Sequence, residues 1–122
     1  MDMIGTRFRP QGRDAEGCDC LGLIHLAALG AGLRFDIPHF PLRGLAIPAA
    51  TAFLEQLGCR RLTAAATGDI LLQAAATLQV HLAMKVSGGL VEAHAGLRCV
   101  VFRPVDPEEV WHSAWRLPLG GK

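Results

Sequence analysis

The run Gly17-Cys18-Asp19-Cys20-Leu21-Gly22-Leu23-Ile24 decides how this chain reads. An irregular, glycine-containing stretch ends there. An apolar, alanine-bearing stretch without proline begins at Cys20 and continues to about Leu29, with Gly30 and Gly32 beyond it. That pattern predicts a helix with a glycine stop, and Asp19 stands at its N-cap or next to it. Cys20 then falls at a helix N-terminus. Unpaired backbone N–H groups and the positive end of the helix dipole favour thiolate over thiol there, and the thiolate is the nucleophile. A thiol so placed calls for a base, and His81 and His94, far along the chain, are the candidates.

Outward from this run the chain divides in character. Residues 5–17 carry Gly, Pro, Arg and Asp with little periodicity and read as a loop. Pro38, Pro41 and Pro48, with apolar neighbours, make Arg34–Pro48 an irregular packed loop. Pro48 also suits the first turn of a second helix, Ala49–Leu57, closed by Gly58. After the turn Thr67-Gly68-Asp69 the pattern becomes extended. Strands are predicted at Ile70–Gln73, Val80–Val86, Leu90–His94, Arg98–Arg103 and Ala114–Leu117, with Ser87-Gly88-Gly89 as a hairpin turn. Asp106-Pro107-Glu108-Glu109 reads as a short helix start. Helices first and an antiparallel meander after them is an α+β layout.

The bulk numbers set limits. A chain of 122 residues argues for a single domain over 1–122. With 51% hydrophobic and 19% charged residues it is not a disordered chain. A formal charge of +1 with no basic block argues against nucleic acid as a partner. No apolar run is long enough to span a bilayer, so no membrane anchor is expected. Met1-Asp2-Met3-Ile4-Gly5 has neither the basic nor the apolar region of a signal peptide. Synthesis in the cytoplasm is therefore expected, with the four cysteines (Cys18, Cys20, Cys59 and Cys99) reduced.

Strand alternation puts His81, Ala83 and Lys85 on one face, and Glu92 and His94 together on a face of the returning strand. A helix packed on such a face and aiming its first turn at His81 would assemble a nucleophile, a base and a polar group to orient the base. Either Glu92 or His94 can be that orienter. The alternatives for the remaining residues are structural. Cys18-x-Cys20 is closer than the usual zinc spacing, so no metal is expected. Cys59 and Cys99 read as core, and Trp111 and Trp115, four apart, as packing residues. Arg7, Arg9 and Arg13 are either solvated or contacts for acidic groups of a substrate.

Several of these pieces together resemble the NlpC-type papain-like cell-wall peptidases. Gly5-Thr6-Arg7-Phe8-Arg9-Pro10-Gln11-Gly12-Arg13 is similar to the opening of the phage-associated branch, and Asp19-Cys20-Leu21-Gly22-Leu23 to the nucleophile motif. Thr67-Gly68-Asp69-Ile70-Leu71-Leu72 resembles the first core strand and His81-Leu82-Ala83-Met84 the strand bearing the base. Leu90-Val91-Glu92-Ala93-His94-Ala95 resembles the strand bearing the third polar residue, and Ala114-Trp115-Arg116-Leu117-Pro118 the last strand. The resemblance implies a papain-like fold with N-terminal helices packed on an antiparallel sheet. It also implies a cysteine peptidase that needs no cofactor and cuts peptidoglycan stem peptides, with Cys20 as nucleophile and His81 as general base. Its branch implies phage tail proteins as partners and the cell wall or periplasm as the place of action. The chain departs from the family in three ways. Glu92 stands where the family usually has His, there is no tyrosine, and Leu21 replaces a common serine. Leu21 and Phe8 are therefore expected to line a less polar subsite, with Arg9 and Arg13 facing substrate carboxylates, and the loop Arg34–Pro48 is expected to wall the cleft. A non-enzymatic papain-like structural or peptide-binding module is the alternative.

Overall fold

The structure is a computed structural model and describes residues 3–9, 12–14, 16–30, 32, 46–76, 79–94, 96–106 and 108–118. Its elements, in chain order, are β1 (Arg13–Asp14), β2 (Gly17–Cys18), α1 (Cys20–Gly30), α2 (Ile47–Gln56), β3 (Arg60–Leu62), β4 (Ile70–Ala76), β5 (Gln79–Val86), β6 (Gly89–His94), β7 (Cys99–Arg103) and β8 (Ser113–Arg116). β1 and β2 form a small hairpin. The other strands form a six-stranded sheet in the order β3-β8-β4-β5-β6-β7, every pair antiparallel.

α1 is apolar nearly all round, and a helix of that kind must be enclosed. Cys20, Leu21 and Ile24 join Ile70, Leu72, Val80, Leu82 and Trp115 of the sheet and Phe53 and Leu54 of α2 in the main core. Leu23 and Leu26 meet Val91, Ala93 and Val100 in a second cluster. α2 begins with Pro48 in its first turn and is followed by Gly58 at φ +89°, the left-handed conformation that ends helices most cheaply with glycine.

The helices thus cover the sheet face that carries Val80 and Leu82, not the face of His81. This corrects the expectation from the sequence. Alternation gives β5 one wholly apolar side, and an all-apolar helix gains most by burying itself there. The opposite face has its own small cluster, Leu71, Ala83 and Leu90, packed against Ala65, Trp111 and Ala114.

Other expectations shift for local reasons. Residues 5–9 are irregular yet tied down. Thr6 and Gly5 exchange backbone hydrogen bonds with Val100, Phe8 N–H bonds Arg98 O, and Cys18 N–H bonds Arg7 O. This lacing covers the β7 edge and fixes the entry to α1. The segment after Asp106 makes only an Asp-centred turn, in which the carboxylate accepts Glu108 N–H at 2.9 Å and the carbonyl accepts Glu109 N–H at 2.9 Å, and it does not continue as a helix. β3 carries two exposed arginines and no apolar alternation, so nothing in its sequence announced a strand. Residues 33–45, most of the expected cleft-wall loop, lie outside the described residues.

Candidate active site

Asp19 begins the site. Its Oδ1 accepts Gly22 N–H at 2.9 Å and its carbonyl accepts Leu23 N–H at 2.8 Å, which makes it the N-cap of α1. Cys20 is thereby the first helical residue. Gly22 follows because the helix lies against the backbone of residue 12: a Cβ at position 22 would collide with the Gly12 carbonyl oxygen and crowd Cys18 Cβ.

The β5–β6 ladder contributes the other half. It pairs Met84 with Val91, Lys85 with Leu90 and Val86 with Gly89, and then ends. Beyond Met84–Val91 a pocket of about 350 Å³ opens at that end of the two strands. Phe8, Cys20, Val80 and Ala93 line it from the helix side, and His81, Glu92, His94, Gln73 and Arg103 from the other. Cys20 reaches the level of His81 where the strands are no longer paired, and so two residues on opposite sides of one sheet share a pocket.

Within it, His81 and Glu92 are joined: Nε2 lies 2.9 Å from Oε2. The pair is diagonal, because the register sets Glu92 level with Ala83 on the same face. Arg103 Nε donates to the other Glu92 oxygen at 3.0 Å. The hydrogen bond from His81 does most to hold the Glu92 carboxyl far down, at about 2, against the opposing effect of burial, and Arg103 adds to it. An ionised carboxylate only accepts, so Nε2 of His81 is the donor of this bond, and Nδ1 is the nitrogen that remains for proton exchange with other groups. His81 is 22% exposed and can be reached from solvent.

His94 does not share this arrangement. Its Nδ1 accepts Leu97 N–H at 3.1 Å, and the ring lines the pocket without a bond to His81. Among the described residues no hydrogen bond joins the Cys20 sulfur to His81. Cys20 is only 3% exposed. Burial pushes its thiol up to about 12; the backbone N–H groups of Leu82, Cys20 and Leu21 favour the thiolate, the Asp19 carboxylate opposes it, and burial prevails. The favourable groups expected at a helix terminus are thus present, but the depth at which the sulfur is enclosed, which a sequence motif does not encode, outweighs them.

The expected binding residues separate. Phe8 lines the pocket. Leu21 is 1% exposed and belongs to the main core, so it forms no subsite; the second residue of α1 points toward α2 and the sheet. Arg9 is exposed, with its side chain over Gly17, and is not in the pocket lining. Arg13 is placed in β1 by its backbone. Gln73, Arg103, Glu109 and Trp111 were not anticipated as site residues. The register pairs Gln73 with His81. Arg103 is two residues beyond the β7 partner of Glu92, on the same face. That relation follows from strand pairing and becomes visible only once the pairing is known. No group of three or more His, Cys, Asp and Glu suited to a metal occurs among the described residues, and all four cysteines are free thiols. No helix among the described residues is long and apolar enough to cross a membrane.

No family model and no curated protein sequence matches the chain. Among solved structures it is similar to the NlpC/p60 domain of the peptidoglycan hydrolase SagA, with a TM-score of 0.60 and 22% identity, over 91% of this chain and 86% of that one. The chain therefore has an α+β fold of the NlpC/p60 kind.

Proposed function

We propose that the chain is a cysteine peptidase that hydrolyses peptide bonds in peptidoglycan stem peptides. The observation that carries this reading is the single pocket that gathers Cys20, His81 and Glu92, with the His81–Glu92 bond already made at 2.9 Å. The fold it shares with a domain of a peptidoglycan hydrolase supports the substrate class.

In this reading the Cys20 sulfur attacks the amide carbonyl carbon as its proton passes to Nδ1 of His81. Glu92 holds the Nε2 proton in place and stabilises the resulting imidazolium. The backbone N–H of Cys20 faces the developing oxyanion. His81 then gives the proton to the leaving amine as the C–N bond breaks, and the acyl-enzyme is hydrolysed by water with His81 again as base. Because burial keeps the thiol protonated, proton transfer accompanies attack and no thiolate waits in the free protein. No cofactor takes part. Phe8 gives the pocket an apolar wall, and Arg9 and Arg13 serve as outer contacts for substrate carboxylates. Phage tail proteins are the partners proposed for it, on the resemblance to the phage-associated branch alone.

A specific observation favours a second reading. At 3% exposure and with a raised pKa, Cys20 also fits a buried core thiol in a peptide-binding module. Mass spectrometry of several peptidoglycan types digested with wild type and with Cys20→Ala decides between them. The peptidase reading expects stem-peptide fragments from the wild type and none from the variant. Binding without cleavage by folded wild type on every type overturns it in favour of the module.

A further inference from the structure

The His81–Glu92 pair is not isolated. Glu92 offers Oε2 to His81 and Oε1 to Arg103 Nε at 3.0 Å. The far end of the same guanidinium is gripped by Glu109, with Nη1 2.8 Å from Oε1 and Nη2 3.2 Å from Oε2. Glu109 Oε2 in turn accepts Trp111 Nε1–H at 2.6 Å. The Trp111 ring lies with its centroid 6.3 Å from that of His81, tilted by 32°. The chain of contacts starts and finishes on the imidazole. It joins β5, β6, β7 and the segment before β8.

We infer that Arg103 is a positioning residue for the His81–Glu92 pair: by bridging Glu92 and Glu109 it fixes the plane of the Glu92 carboxylate so that the second oxygen faces His81 Nε2. This rests on the peptidase reading for its purpose, although the positioning itself is a property of the free protein. The geometry asks for arginine. One side of a planar fork meets one carboxylate while its two terminal nitrogens meet another, and a lysine ammonium cannot make both sets of contacts. A carboxylate with one oxygen untethered rotates about its last side-chain torsion, which is broad and restrains the plane only weakly.

The test reads the His81 ring directly. In the wild-type protein, NMR of ¹⁵N-labelled histidine is expected to show a hydrogen-bonded, slowly exchanging His81 Nε2 proton. Arg103→Met and Arg103→Lys are each expected to lose that signal with an unchanged far-UV circular dichroism spectrum. Glu109→Gln, which loosens the far anchor and leaves Arg103 and Glu92 in place, is expected to broaden it. Should Arg103→Met fail to fold, Glu109→Gln decides alone. A full signal in folded Arg103→Met, or in Glu109→Gln if that variant must decide, overturns the inference, as does its absence from the wild type. The second measurement is kcat/KM. Arg103→Met is expected to cost about tenfold in the wild-type background and almost nothing in a Glu92→Gln background, since its effect passes through Glu92. Equal losses in both backgrounds mean a merely structural role. A wild type that shows the NMR signal but cuts no peptide removes the peptidase reading and leaves the positioning role standing.

Discussion

Glu92 is a buried carboxylate with a ring N–H on one oxygen and a guanidinium on the other. Its pKa falls from the ordinary 4.5 to about 2 in the folded protein. A depressed carboxylate stabilises the fold above its unfolded pKa, and that contribution is lost as pH falls through the folded value. Wild-type stability is therefore expected to decline between pH 4.5 and about 2, and Glu92→Gln to flatten that part of the profile. Urea unfolding midpoints measured across the acid range check this, and an identical slope in the two proteins contradicts it. Asp69 leaves a residual slope in both, because its carboxylate is likewise held low by the hydrogen bonds from Arg116. At this scale the sequence was legible where a local rule applied. Asp19 as a cap and Cys20 as the first helical residue follow from the motif itself. The choice of Glu92 over His94 as the partner of His81 does not, since both stand on one face of β6. Only the diagonal reach from His81 and the turn that claims His94 through Leu97 separate them.

Among the elements, α1 is the one whose setting carries most of the site. Its capping fixes the height of Cys20, and its approach to the Gly12 carbonyl fixes its tilt against the N-terminal segment. Gly22→Ala adds a Cβ at a place bounded by backbone, which cannot swing aside like a flexible side chain. A net loss of roughly 1–3 kcal/mol is expected from overpacking, although alanine is the better helix former by about 1 kcal/mol. Chemical denaturation gives the value directly, and a variant as stable as the wild type would mean that this approach relaxes without cost. Element positions were readable where a local signal was strong: the Asp19 cap and unbroken apolar run of α1, the alternation of Val80, Leu82 and Met84 in β5, and the glycine turn that leads into β6. β3 was invisible because Arg60 and Arg61 at the sheet edge carry no alternation. Which sheet face the helix covers is not decided by where the histidine stands. The apolar area of Val80 and Leu82 decides it.

For the whole molecule, the main core has a weakness toward base. Burial raises the Cys20 thiol to about 12 and the Cys59 thiol to about 11, both from an ordinary 9.0. Above that ordinary value the unfolded chain sheds these protons while the folded protein keeps them, so stability drops as pH rises. Wild type is expected to lose stability as pH rises from 9.0 through about 11, and a Cys20→Ala/Cys59→Ala double variant to lose much less, compared at equal salt by urea midpoints. Equal losses would show that the two sulfurs are wetter than their packing implies.

The sheet also works as a partition. The position of the thiol is governed by the greasy compartment on one side, and the imidazole by a polar cage on the other, and the two meet only where a ladder of strand pairs has run out. Each compartment can accumulate its own substitutions without disturbing the other.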